Sequence, residues 1–256
     1  MRKVLVWSIA AAIAVSAGLF SGSAARAQWG TIKGQVTYTG VFTPLKNLVN
    51  KDDGAVKDSA VCAAHNVPDE SLVVDPATQG VANVVVWLAK KPAKIHPDLV
   101  KPAKPLVDFD QKGCKFIPHI LLVRTDQKVR VLSDDAIAHN THTYPIKNKG
   151  ENFIVAANDR VGVEVPSVKL EERLPIQVKC DIHAWMQAYW VILDHPYAAV
   201  TNEKGEFEIA NVPQGEQTFV VWQEKAGYIN KKLVINVKSG ENTVPPIKVT
   251  AADFAK

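Results

Sequence analysis

A cysteine, a histidine and a methionine fall within seven residues in Cys180-Asp181-Ile182-His183-Ala184-Trp185-Met186. They bring a thiolate, an imidazole and a thioether to what reads as a loop between two strands. A trigonal copper site takes one cysteine, two histidines and a long, weak axial methionine. Three of those four ligands stand here at a Cys-x2-His-x2-Met spacing. The fourth has to come from another strand. His139, in Ala138-His139-Asn140-Thr141-His142, is the natural candidate, with His142 competing. Met186 is the only methionine besides Met1, so chance is a poor account of its place in the cluster.

The elements that must carry these ligands read as strands. Thr31–Tyr38 alternates in polarity. Val81–Leu88 is a continuous apolar run, as expected of a strand buried on both faces. Further short runs cover 119–124, 128–132, 153–156, 161–165, 176–180, 187–193, 207–209, 218–222, 233–237 and 247–249. Turns rich in Gly, Pro, Asn and Asp separate them, which argues for an all-β sandwich. Ser59–Ala64 offers one or two helical turns. Lys90–Pro105 holds four prolines in sixteen residues and reads as an exposed linker or long surface loop.

The first 27 residues read as a signal peptide. Arg2 and Lys3 precede the apolar run Val4–Phe20, and Ala25-Arg26-Ala27 fits small-x-small cleavage. The expected mature chain begins at Gln28 and is periplasmic or secreted. No second apolar stretch is long enough to span a bilayer. The whole chain carries a formal charge of +4; taking Arg2, Lys3 and Arg26 from 30 basic residues leaves 27 against 26 acids, a net charge of +1. Such a balance gives no support to nucleic-acid binding, which needs a clustered basic surface. Three cysteines are an odd number for an oxidising compartment. If a metal holds Cys180, then Cys62 and Cys114 are left to pair as a disulfide.

From Cys114 to Leu193 the chain resembles the cupredoxins, the blue-copper family of plastocyanin and amicyanin. Phe116-Ile117-Pro118 ahead of His119–Val123 looks like that family's lead into a core strand. Lys128–Asp135 looks like the next strand and its Ser-Asp end. His139-Asn140 stands where the family places its first histidine ligand beside an asparagine, which favours His139 over His142. Cys180-x2-His183-x2-Met186 has the short ligand-loop spacing of amicyanin. The resemblance implies one type 1 copper held by His139, Cys180, His183 and Met186. Asn140 would tie the first-histidine strand to the cysteine loop. It also implies that His183 reaches an apolar surface edge where electrons leave. Asp181, beside the thiolate, would favour Cu(II) if it pointed inward.

A second resemblance covers the flanks. Glu203–Phe207, Pro213-Gln214-Gly215, Thr218–Trp222 and Gly227-Tyr228 look like the second half of a carboxypeptidase-regulatory-like, or transthyretin-like, β-sandwich. Gly30–Val36 and Asn83–Val86 look like its first half. The implied fold is all-β, a cupredoxin-like Greek-key sandwich plus a smaller prealbumin-like one. The expected division is 28–113 for N-terminal strands and linker, 114–195 for the copper domain, and 196–256 for the regulatory-like region. Either the smaller sandwich is interrupted by the copper domain or the two stand in series.

The function these readings imply is one-electron transfer between periplasmic partners such as a c-type cytochrome or a dehydrogenase. An enzyme is not expected. The chain lacks the His-x-His pairs of a trinuclear copper cluster, the second loop cysteine of a binuclear centre, a heme attachment motif, and serine-protease or P-loop signatures. The alternative is a secreted module binding carbohydrate or a cell surface, with Trp222 and Tyr228 as stacking residues beside a degenerate copper domain.

Overall fold

The computed structural model describes residues 28–165 and 168–255; the expected signal peptide lies outside the described residues. In chain order the strands are β1 (Trp29–Thr39), β2 (Val85–Leu88), β3 (Leu106–Gln111), β4 (Phe116–Ile117), β5 (Ile120–Arg124), β6 (Lys128–Ser133), β7 (His139–Tyr144), β8 (Asn152–Val155) and β9 (Val163–Val165). They continue with β10 (Ile176–Lys179), β11 (Gln187–Leu193), β12 (Ala198–Val200), β13 (Glu206–Pro213), β14 (Gly215–Gln223), β15 (Gly227–Val237), β16 (Gly240–Thr243) and β17 (Ile247–Thr250). One helical turn, α1 (Ser59–Cys62), lies between β1 and β2. The fold is all-β. No helix among the described residues is long and apolar enough to cross a membrane.

The middle of the chain forms two sheets, ordered β5-β11-β10-β7-β8 and β4-β3-β6-β9. Their facing side chains share one core, including Phe109, Phe116, Val123, Val131, Val178 and Trp190. The ends of the chain build the other sandwich together. β1 pairs antiparallel with β13 and parallel with β16 and β17, while β2 pairs antiparallel with β12 and β14. Ile32, Val36, Val86, Phe207, Phe219 and Val249 meet in its core. The first two strands therefore complete a sandwich whose remaining strands follow the whole middle block.

The pleat explains how the two sandwiches join. Alternate residues of a strand point to opposite faces. On β11, Trp190 and Ile192 enter the middle core, while Val191 and Leu193 face the other way. On β2, Val86 and Leu88 enter the flanking core, while Val85 and Trp87 face out of it. Val85, Trp87, Ile120, Val191, Leu193 and Trp222 form a third apolar cluster between the sandwiches. Tyr189 packs edge-on against Trp222 with ring centroids 5.2 Å apart. The continuous apolar run at β2 thus reflects burial on both faces. The strand is shorter than expected because Asn83 turns left-handed at φ 59° and Val84 N–H donates to Thr201 Oγ1 instead of a ladder.

In the middle block two regions depart from the sequence reading. The unit expected to begin at Cys114 begins with β3, which runs parallel to β6 from the Leu106–Lys128 pair to the Gln111–Ser133 pair. Its alternation is masked by Asp108 and Asp110, which face outward to ion pairs with Arg130 and Arg160. β7 also escapes an apolar pattern because it is polar throughout, HNTHTY.

Backbones from distant parts of the chain touch where the flanking sandwich is completed. Val36 N–H donates to Gly205 O at 2.8 Å, and Val81 N–H donates to Val36 O at 2.9 Å. A Cβ on Gly80 would collide with the Lys204 carbonyl, and Gly205 takes a φ of +74°. Gly80→Ala is expected to cost about 1–3 kcal/mol through overpacking against backbone. A denaturant melt reads this, and an unchanged midpoint would mean that the 80 and 204 turns do not meet.

Candidate metal centre

The loop between β10 and β11 is closed by its own backbone. Cys180 N–H donates to Met186 O at 3.2 Å, and Met186 N–H donates to His183 O at 2.9 Å. His183 N–H points at Cys180 Sγ, 3.4 Å away. Asn140 pins the loop from β7: its Oδ1 accepts from Asp181 N–H at 2.6 Å and from Ile182 N–H at 3.3 Å. β7 pairs with β10 up to His142 opposite Lys179, so the residues of β7 before that pair lie beside the loop.

This register brings three candidate ligands together. His139 Nδ1 and His183 Nδ1 are 2.9 Å apart, and Cys180 Sγ is 3.8 Å from His183 Nδ1. All three residues are buried. Met186 is 1% exposed and lies in the same core as Cys180. His142 is not in the group. Three positions separate it from His139, so the pleat sends it to the other face. There it lies 3.0 Å from Asp181 Oδ2 and stacks on Tyr144. Asp181 also turns outward, accepting from Asn140 and Asn152 side chains at 2.9 and 3.0 Å. It does not face the thiolate.

Two carboxylates that sequence reasoning missed complete the centre. Asp135 Oδ2 lies 2.9 Å from His139 Nε2, while the same carboxylate accepts from Gly113 N–H at 2.6 Å and Cys114 N–H at 2.8 Å. Asp58 Oδ2 lies 3.0 Å from His183 Nε2. Asp135 stood in view at the end of the β6 segment, but nothing separated it from Asp134. Asp58 carried no signal, because it is remote in the chain and belongs to no motif. Asp58 also overturns the expectation that His183 reaches the surface. His183 is 0% exposed, covered by Asp58 and by Trp185, whose ring centroid is 5.2 Å away.

Cys62 and Cys114 form a disulfide with a Cα–Cα distance of 5.2 Å, and Cys180 is the free thiol. Cys114, Asp135 and His139 also cluster, but the disulfide removes Cys114 as a thiolate ligand. Three of the four remaining histidines have structural partners. His119 pairs with Glu224 at 2.6 Å between the sandwiches, His195 Nε2 lies 3.0 Å from Leu88 O, and His96 Nδ1 caps a short turn by accepting from Asp98 N–H.

The electrostatics follow from this packing. Burial pulls His139 down, but its hydrogen bonds to Asp135 and Cys180 outweigh burial and lift it to about 9. Burial pushes the Cys180 thiol up, yet His139 and nearby backbone N–H donors bring it below its ordinary value. Burial lowers His183, against the pull of Asp58 and with help from charged His139. The carboxylates hold N–H on both Nε2 atoms, so both Nδ1 lone pairs turn toward one point. At 2.9 Å two bare lone pairs repel, so a cation belongs between them, whether a proton or a metal ion. Ligand bonds of roughly 2.0–2.3 Å to imidazole and thiolate can span these separations. The donor set therefore fits a soft first-row ion. His139, Cys180 and His183 would hold it, with Met186 nearby in the loop.

No protein-family model matches the chain, and no curated protein matches it. Solved structures that align with part of it include a purple cupredoxin from Nitrosopumilus maritimus, 16% identical, covering 33% of this chain and 97% of that one with a TM-score of 0.27. A reduced-state amicyanin mutant is 14% identical over 42% of this chain and 97% of its own, with a TM-score of 0.29. A copper-containing nitrite reductase from Thermus scotoductus SA-01 is 15% identical over 40% of this chain and 25% of its own, with a TM-score of 0.27. Each likeness covers less than half of the present chain.

Two measurements follow from the centre. Thiol titration of the unfolded, unreduced protein should find one free thiol, Cys180; finding three would refute the disulfide. The second concerns protons. In the metal-free protein His139 is raised from 6.5 to about 9, so its stabilising share is present below 6.5 and lost as pH climbs through about 9. A metal ion must expel that proton. Calorimetry of Cu(II) or Zn(II) binding at neutral pH, in buffers of different ionisation heat, should show proton release from His139. That release should fade as pH rises through about 9. A release independent of pH across that range would place His139 outside the site.

Proposed function

We propose that this chain is an exported type 1 copper protein that carries single electrons between redox partners. The observation that carries the reading is the convergence of His139 Nδ1, His183 Nδ1 and Cys180 Sγ in a buried cluster, with a carboxylate behind each imidazole. Copper at this point would supply a one-electron couple. Cys180 would provide the thiolate, His139 and His183 the imidazoles, and Met186 the weak axial contact that tunes potential. Asn140 holds the cysteine loop to β7, and Asp135 holds His139. These ligands sit on strands and a loop pinned by hydrogen bonds. Little would have to rearrange when the charge changes.

The partner in this reading is a periplasmic redox protein such as a c-type cytochrome or a dehydrogenase. Export rests on the leader pattern of residues 1–27 and fits a chain with a buried disulfide. The flanking sandwich, with its regulatory-like turn pattern, would hold the copper unit in place rather than act on a substrate. Its cluster of apolar residues against β5 and β11 is the attachment. Trp222 supports this over sugar binding, because it is 6% exposed and buried against Tyr189.

Visible and EPR spectra of residues 28–256 with Cu(II) test the proposal. An intense thiolate-to-copper band with narrow hyperfine splitting is expected. Cys180→Ser should abolish the band while far-UV circular dichroism stays β. Met186→Leu should keep the band and raise the reduction potential. A colourless protein would sink the copper reading. A Met186→Leu variant with unchanged potential would remove Met186 from the ligand set.

A further inference from the structure

We propose that the segment from Val49 to Val67 is a fixed cap on the metal centre, and that Asp58, which it carries, is the positioning residue for His183. The inference rests on the copper reading for its redox consequences but not for its geometry. The cap is a closed structure. Leu48 N–H donates to Val67 O at 2.8 Å, Val67 N–H to Val49 O at 2.9 Å, and Asp52 N–H to Ala63 O at 2.8 Å. Lys51 N–H donates to Asn66 Oδ1 at 2.8 Å. Val49, Ala63 and Val67 are buried in a small cluster of their own against Trp185.

Three attachments hold this cap to the ligand loop and its surroundings. The Cys62–Cys114 disulfide ties it to the loop ahead of β4. Trp185 Nε1–H donates to Cys114 O at 3.1 Å, so the ligand loop is bound to the same staple. The third is Asp58 itself. It sits in the left-handed region, with φ 54° and ψ 40°, where the chain enters α1. Val61 N–H and Cys62 N–H both donate to Asp58 O at 2.9 Å, so the first turn of α1 fixes this residue. Its Oδ2 then accepts from His183 Nε2–H at 3.0 Å.

The consequences are specific. Asp58 holds the His183 ring in the tautomer that turns Nδ1 toward Cys180 and His139. Its negative charge behind the ring favours the higher oxidation state of a bound copper. The cap also takes the place at His183 Nε2 that water or a partner would otherwise hold. A redox partner approaching from this side meets the cap and Trp185, not the imidazole.

Two variants separate these effects. Glycine accepts the φ of Asp58 without strain, so Asp58→Gly removes the acceptor alone. Asp58→Asn keeps an acceptor oxygen and tolerance of the left-handed region but loses the charge. In metal-free protein, 15N NMR of the imidazoles should show His183 as the Nε2–H tautomer in the unchanged chain and in Asp58→Asn. Asp58→Gly should weaken that preference, leaving only the Nδ1 contact with His139 to hold it. After copper loading, Asp58→Gly should bind copper roughly 10- to 100-fold more weakly, and both variants should shift the potential upward. The unchanged tautomer in Asp58→Gly, with unchanged copper affinity and potential, would overturn the proposal. A tautomer change in a protein that never shows the thiolate band would support Asp58 as the positioning residue while removing the copper reading.

Discussion

Two imidazole nitrogens face each other across 2.9 Å, and each ring is held from behind by a carboxylate. The rest of the centre depends on this arrangement. Lone pairs at that distance repel unless a cation lies between them, so the site has a built-in demand for positive charge. In the metal-free protein a proton on His139 meets the demand, held there by Asp135 and Cys180, which lift the ring to about 9 despite its burial. The sulfur of Cys180, whose thiol is brought below its ordinary value here, strengthens that demand. The carboxylates decide which nitrogen of each ring enters the site, and therefore whether the cluster can act as a ligand set at all.

Holding that geometry requires supports from four parts of the chain. β7 brings His139 and Asn140, the β10–β11 loop brings Cys180 and His183, the end of β6 leads to Asp135, and the segment before β2 brings Asp58. Polar groups buried this deeply are costly unless each has a partner. The partners here are shared: Asp135 serves His139 and two backbone N–H groups, and Asn140 serves two backbone N–H groups of the loop. The same disulfide that ties down the cap also fixes the strand lead at Cys114, whose N–H bonds Asp135. The staple and the histidine network are therefore one mechanical unit.

The flanking sandwich adds a second constraint. Its strands come from both ends of the chain, so the middle block is held at two nearby points, after β2 and before β12. The middle block presents Ile120, Val191 and Leu193 to Val85, Trp87 and Trp222, and the buried His119–Glu224 pair lies beside them. An apolar contact of this kind between sandwiches resists rotation of one against the other.

The sequence by itself determined the all-β class, most of the strands and three members of the cluster. Those features are local: alternation has a period of two, turns have their own residues, and Cys-x2-His-x2-Met is short enough to read directly. It also left Cys62 and Cys114 as a pair once Cys180 was assigned. β3 and β7 were hidden because their polar residues serve ion pairs and the ligand network, and so break the apolar pattern that marks a strand. Whether the flanking sandwich was interrupted or serial was decided only by strand pairing, since hydrogen bonds between β1 and β13 join residues far apart in the chain. His139 was already favoured over His142 by its neighbour Asn140, and the pleat and the register with β10 put His139, not His142, beside Cys180 and His183. The two carboxylates and the burial of His183 were decided by tertiary structure alone. A single aspartate in a polar segment has no periodicity or motif, and only folding places Asp58 beside an imidazole 125 positions away.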